Sequence, residues 1–176
     1  MSIKYAILGL LSWHPYTGYE LKKAFPNIPA LYWSGNNNQI YRTLVQLHNE
    51  KLVTRQIEIQ DNYPSKKIYT ITEKGLHELK NWLLTVPEPP QLKNTFMIKL
   101  SFADQLNKEE IQKQLLDYKN EINSQILIIK ELQKRGNGKP KRGKRETYLW
   151  EMIHRRWISY YSNELEWIKE LQKNIK

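Results

Sequence analysis

Cysteine is absent from this chain of 176 residues. Disulfides, a thiolate nucleophile and cysteine-ligated zinc are excluded together. Long apolar runs are missing too, with nothing near the roughly 18 consecutive apolar residues that a membrane-spanning helix needs. The opening MSIKYAILGLLSW has one lysine and an apolar run but no small-residue cleavage site. Its apolar positions continue into an amphipathic helix pattern, so it is read as structure and not as a signal peptide. His14, His48, His77 and His154 stand at no metal-ligand spacing, and neither HExxH nor CxxC occurs. GxSxG, P-loop and GxGxxG motifs are also missing. The expectation is a cytoplasmic protein that is not an enzyme, with no metal, no cofactor and no membrane contact.

Positive charge is what the chain has in excess. The formal net charge is +10, which suggests a polyanionic partner. Residues 1–90 hold 10 Lys/Arg against 7 Asp/Glu, and residues 91–176 hold 18 against 11. The segment 134–145 alone supplies seven basic residues and no acid. Charge therefore does not locate a binding surface; periodicity does.

Residues 34–72 change period midway. In SGNNNQIYRTLVQLHNEKLV, Ile40, Leu44 and Leu47 recur at helical spacing and face a core. Asn37, Asn38, Tyr41, Arg42 and Gln46 occupy the opposite face. Asn36 with Gln39 offers a cap for this helix. The chain then alternates, with Val53, Ile57 and Ile59 on one side and Ile68, Tyr69 and Ile71 beyond the turn-rich DNYPSKK. A polar-faced helix followed by a hairpin with two lysines at its tip is the layout of a winged helix, whose helix enters the DNA major groove. Amide side chains pair with adenine edges and arginine with guanine, so Asn36, Asn37, Asn38, Gln39, Tyr41 and Arg42 form the candidate reading face. Ser34 would offer a backbone N–H to a phosphate at the helix start. Tyr63, Ser65, Lys66 and Lys67 form the candidate wing; the bland alternative is an ordinary charged hairpin.

Around this stretch, Ser2 can cap a first helix with Ile3, Ala6, Ile7, Leu10 and Leu11 on its apolar face. Thr17 to Glu20 has capping-box spacing for a second helix carrying Leu21, Ala24 and Phe25 inward. Thr72 caps a fourth, with Leu76, Leu79, Trp82 and Leu83 inward, and VPEPP follows as a rigid linker. The second half is helical. Thr95–Phe102 forms a short apolar helix, and Asn107 to Glu110 is a capping box. Ile111, Leu115, Tyr118, Ile122, Ile126, Ile129 and Leu132 form a heptad-like seam. A last helix spans about Thr147 to Gln172. The expected fold is mostly α with a small β-hairpin. It divides into a winged helix-turn-helix over 1–86, a proline-rich linker over 87–94, and an antiparallel helical hairpin over 95–176 that mediates homodimerisation.

KYAILGLLSWHPYTGYEL, QIYRTLVQLHNEKLV and KKIYTITEKGLHELKNWL together resemble the PadR family of bacterial transcriptional regulators. The match covers about the first 90 residues, and IYTIT-x-x-G is among its strongest parts. NTFMIKLSF and the aromatic-rich WISYYSNELEWI are similar to the longer members, the type that represses phenolic acid decarboxylase. The resemblance implies a bacterial, dimeric winged-helix regulator, usually a repressor, that a small molecule releases from an inverted-repeat operator on double-stranded DNA. Two departures stand out. Family members commonly have glycine where this chain has Lys51, and the basic loop at 134–145 is not a family feature. That loop either contacts flanking DNA or is a solvated connection.

For the implied effector, Trp82, Phe96, Trp150, Trp157 and Tyr161 would stack an aromatic ligand where the winged helix meets the helical hairpin. His154 or Arg155 would hold its carboxylate. The bland alternative, core and dimer-interface packing, is favoured for any one of them. The alternative function is a winged-helix protein-interaction module without sequence-specific DNA binding.

Overall fold

A computed structural model describes residues 3–28, 37–60, 63–90, 94–135 and 143–175. The chain divides into two compact units, Met1–Pro87 and Glu88–Lys176.

In the first unit, α1 (Ile3–Leu11), α2 (Gly18–Ala24) and α3 (Asn37–Asn49) surround one core. Ile7, Leu10, Leu11, Leu21, Leu44 and Leu47 are almost wholly buried there, at the spacing their helical period predicts, and Leu8, outside the expected face, is buried with them. Thr17 caps α2 through the expected box: its hydroxyl accepts from the Glu20 backbone N–H, and the Glu20 carboxylate accepts from the Thr17 N–H. The proposed cap residues Ser2 and Asn36 lie outside the described residues, as does Ser34.

The sheet has three strands, not the two of a hairpin. β1 (Tyr16–Thr17) pairs antiparallel with β3 (Tyr63–Ile71), which pairs with β2 (Val53–Gln60), in the order β1-β3-β2. The residues leading into the α2 cap must be extended, and in that conformation they fill the free edge of β3. Val53 and Tyr69 anchor the sheet in the core, whereas Ile57 and Ile59 run out beyond it.

Helix α4 (Glu73–Leu83) is capped by Thr72, as expected, but only partly keeps its expected orientation: Leu79 is half-buried and Trp82 faces the unit, whereas Leu76 and Leu83 point out. Leu76 is 45% exposed and Leu83 66%. The face toward the unit is that of Gly75, Glu78 and Trp82, whose indole stacks on Tyr5 with centroids 4.6 Å apart. Gly75 sets this orientation: without a Cβ, the first helical turn closes directly against the carbonyl of Leu52.

The second unit contains α5 (Thr95–Ser101), a 3-10 turn, and two long helices, α6 (Lys108–Arg135) and α7 (Lys144–Asn174). α6 and α7 pack antiparallel along the predicted seam, with Leu115, Ile122, Ile129 and Ile168 buried. Asn107 and Glu110 form the predicted box at the start of α6. α7 begins three residues before the expected Thr147. Of the apolar residues in α5 only Phe96 is buried; it joins Leu115, Ile122 and Ile168 in the unit's core.

Candidate DNA-reading surface and C-terminal cavity

Burying Ile40, Leu44 and Leu47 fixes the rotation of α3 and so determines what faces out. Asn38, Gln39, Tyr41, Arg42 and Gln46 are all exposed on one surface. Tyr41 rests against the start of α2, where a Cβ on Gly18 would come within 2.5 Å of its ring. The side chains of Asn37 and Tyr63 lie outside the described residues. On β3, Ser65, Lys66 and Lys67 are exposed, and on β2 so is Arg55, a cation that periodicity alone did not single out.

Two features hold the far end of α3. Lys51 adopts φ 61°, the left-handed conformation that glycine would take more easily. The Lys51 N–H donates to the His48 carbonyl at 3.0 Å and the Leu52 N–H to the Leu47 carbonyl at 2.9 Å, the paired bonds of a Schellman motif. The lysine therefore does the glycine's geometric task at the cost of local strain. Beside it, Lys4 Nζ donates to Glu50 at 3.0 Å and lies 3.1 Å from Glu78. Gln46 donates to Glu50 at 2.7 Å and, with Lys4, holds that carboxyl below its ordinary range. The end of α3 is thereby tied to α1 and α4.

The second unit contains a cavity of about 820 Å3. Its walls include Phe96, Tyr118, Trp157 and Tyr161, with Lys99 and Arg156 supplying cationic groups. The Phe96 and Tyr118 rings stack 3.9 Å apart. The Tyr118 hydroxyl donates to Glu164 at 2.9 Å and accepts from Asn94 Nδ2 at 2.8 Å. Burial, reinforced by the Glu164 carboxylate, pushes the phenol up to about 12. It therefore stays protonated, and the chain of bonds stays intact, at any physiological pH.

Of the six proposed effector residues, Phe96, Trp157 and Tyr161 meet at this cavity. Trp82, Trp150 and His154 do not line it. Trp82 belongs to the first unit and is stacked on Tyr5. His154 is only 3% exposed, with Nδ1 2.7 Å from the Trp150 carbonyl oxygen. A carbonyl only accepts, so that nitrogen donates, and the ring is held within its own helix. Arg156, not Arg155, reaches the cavity. One step along a helix turns a side chain by about 100°, which residue spacing alone could not resolve. Tyr118 was legible as a seam residue but not as a cavity wall. Among the described residues no His/Asp/Glu cluster suits a metal ion, and no helix is long and apolar enough to cross a membrane.

Residues 7–81 match the transcriptional regulator PadR-like family, and residues 92–176 match the family described as virulence activator alpha C-term. Between the two matches lie residues 82–91, the end of α4 and the proline-rich stretch. Residues 7–81 therefore carry a PadR-like domain. The chain is 38% identical over 109 residues to the negative transcriptional regulator PadR of Bacillus subtilis. That match spans 61% of this chain and 60% of the relative, less than two thirds of the relative's length. The crystal structure of B. subtilis PadR in complex with operator DNA superposes with a TM-score of 0.82 at 26% identity, covering 99% of each chain. The same protein in complex with p-coumaric acid superposes with a TM-score of 0.77 at 25% identity, covering 98% of each. The PadR-family winged helix and its long helical pair are thus both present in this chain.

Proposed function

We propose that this chain is a dimeric, sequence-specific DNA-binding transcriptional regulator, a repressor that a small phenolic or other aromatic acid releases from its operator. The observation carrying this reading is the face of α3: Asn38, Gln39, Tyr41, Arg42 and Gln46 stand exposed on a helix whose other side is locked by Ile40, Leu44 and Leu47. The operator complex of B. subtilis PadR supports the assignment of partner. Residues 1–86 would form the DNA-binding domain, 87–94 the linker and 95–176 the dimerisation and effector domain. Ser34, Asn36, Asn37, Tyr63, Ser65, Lys66 and Lys67 complete the proposed DNA surface. In a dimer joined through the C-terminal helices, two reading helices would meet successive major grooves roughly 34 Å apart on an inverted repeat. The protein needs no catalytic group for this activity, and its place of action is the cytoplasm.

The cavity of the second unit is the proposed effector site. Phe96, Trp157 and Tyr161 offer faces for an aromatic ring, and Arg156 and Lys99 offer cations for a carboxylate. Occupancy of the cavity would favour a different spacing of the two reading heads and so weaken operator binding.

The test is binding of the purified chain to the duplex upstream of its own gene at two salt concentrations. Selective binding that Tyr41→Ala/Arg42→Ala abolishes is expected. p-Coumaric acid should release the wild type while leaving Arg156→Gln on the DNA. Equal, weak binding to unrelated duplex, unaffected by the double substitution, would overturn the reading in favour of a protein-interaction module.

A further inference from the structure

The wing carries two apolar side chains that its own unit leaves uncovered. Ile57 is 52% exposed and Ile59 is 86% exposed, on an edge strand of the sheet. Strand pleating explains where they sit. Odd-numbered residues of β2 share one face with the residues directly opposite them on β3. Near the base, Val53 opposite Ile71 and Arg55 opposite Tyr69 join that face to the core. Farther out the strand outruns the core, and the same face continues as Ile57 opposite Lys67 and then Ile59. At Ile59 the register slips: Glu58 pairs with Lys66 but Gln60 with Tyr63, so Pro64 and Ser65 together oppose one residue. Such a bulge bends the strand and re-aims the side chains beside it.

Beyond the core this face therefore presents two isoleucines beside the exposed cation Lys67, with the exposed Arg55 bordering them on the core side, while Glu58 alternates to the opposite face. An uncovered isoleucine on an edge strand is a site for unwanted strand pairing unless a partner covers it. Resting on the regulator reading above, we propose that Ile59, assisted by Ile57, is an apolar contact of the wing with the minor groove of the DNA flanking the sequence read by α3. The walls of that groove are deoxyribose and its rims are phosphate. Isoleucines flanked by cations match both, the isoleucines against sugar and Lys67 and Arg55 at the rims. The surface is continuous with the proposed DNA-reading elements, which favours DNA over a membrane or a second hairpin.

The two kinds of contact respond differently to salt. An ionic contact releases counterions and contributes to the slope of log affinity against log salt, whereas an apolar contact does not. Full-length Ile59→Ser, Ile57→Ser/Ile59→Ser and Lys67→Gln are therefore compared with wild type on the duplex upstream of the chain's own gene, across a salt series. Ile59→Ser should weaken binding by about tenfold at every salt concentration, with the slope unchanged. The double substitution should weaken it further. Lys67→Gln should lower the slope by about 0.9. Thermal melts of the isoleucine variants should match wild type, because both side chains are exposed. Affinity of Ile59→Ser indistinguishable from wild type overturns the proposal, as does a loss that brings the slope change of Lys67→Gln. A wild-type assembly larger than a dimer that Ile59→Ser dissolves also overturns it, making a second hairpin the occupant. Failure of the wild type to select this duplex over unrelated DNA is a separate result, which removes the regulator reading itself.

Discussion

Replacing Gly75 with alanine tests whether α4 is seated by the absence of a side chain. Gly75 lies in ordinary helical backbone, so alanine gains nothing and loses nothing in allowed conformation there beyond its usual helical preference. Its Cβ, however, would overlap the Leu52 carbonyl oxygen and stand 2.8 Å from Cγ1 of Ile71. Neither neighbour is free to yield. Leu52 O accepts from the Thr72 backbone N–H and from the Thr72 hydroxyl, each at 3.0 Å. Ile71 is held opposite Val53 in the sheet. The first turn of α4 must retreat, losing two hydrogen bonds at about 1 kcal/mol each. Overpacking adds about 1–3 kcal/mol, and the helix propensity of alanine returns about 1 kcal/mol. The net loss is about 2–4 kcal/mol, read as a lowered midpoint in urea unfolding followed by circular dichroism. Gly9→Ala is the control: it sits within α1 and a Cβ there meets nothing within 4 Å. It should raise stability by about 1 kcal/mol through propensity alone. A Gly75→Ala protein as stable as wild type refutes the steric argument.

Three further outcomes are expected. Gly18→Ala should leave the melting temperature near wild type, because the clash is with a movable ring. It should weaken operator binding by about tenfold in gel-shift titrations by displacing Tyr41, with no added loss on top of Tyr41→Ala. Lys51→Gly should raise the unfolding free energy by about 0.5–1 kcal/mol, since relief of the left-handed strain exceeds the added freedom of the unfolded chain. Acid should destabilise the first unit. Glu50 is held below the ordinary 4.5 by Gln46 and Lys4, Glu78 by Lys4 and Tyr5, and Glu20 by the Thr17 backbone N–H. Folded values below unfolded ones mean stability present above pH 4.5 and lost as pH falls through the folded values. Melting temperatures measured against pH should show that loss, and Lys4→Met should flatten it.

Features that depend on near neighbours along the chain were legible in the sequence. The boxes at Thr17–Glu20 and Asn107–Glu110, the Thr72 cap, and the buried row Ile40, Leu44 and Leu47 each follow from spacing within a helical turn or two. The seam from Ile111 to Leu132 is the same signal sustained over about six turns, because a long helix repeats one rule. The departure at Lys51 was visible only against the family resemblance, which puts glycine there; whether the lysine would take the left-handed conformation or the helix would end another way was decided by the structure.

Tertiary structure decided the rest. The stripe of α4 suggested Leu76, Leu79, Trp82 and Leu83 inward, but close contact at Gly75 leaves Leu76 and Leu83 exposed while Leu79 and Trp82 face the unit, and no periodicity announces where a missing Cβ matters. β1 exists only because β3 offers an edge to a two-residue extended segment. Six aromatic and histidine side chains shared one candidate role; the structure gathered Phe96, Trp157 and Tyr161, and added Tyr118, Lys99 and Arg156. Sequence by itself determined the order of the helices and the hairpin, the caps at Thr17, Thr72 and Asn107, and the polar face of α3, because those depend on local hydrogen bonds and helical period. Which side chains from distant elements share a surface or a cavity was left to packing, where a rotation of one residue exchanges Arg155 for Arg156.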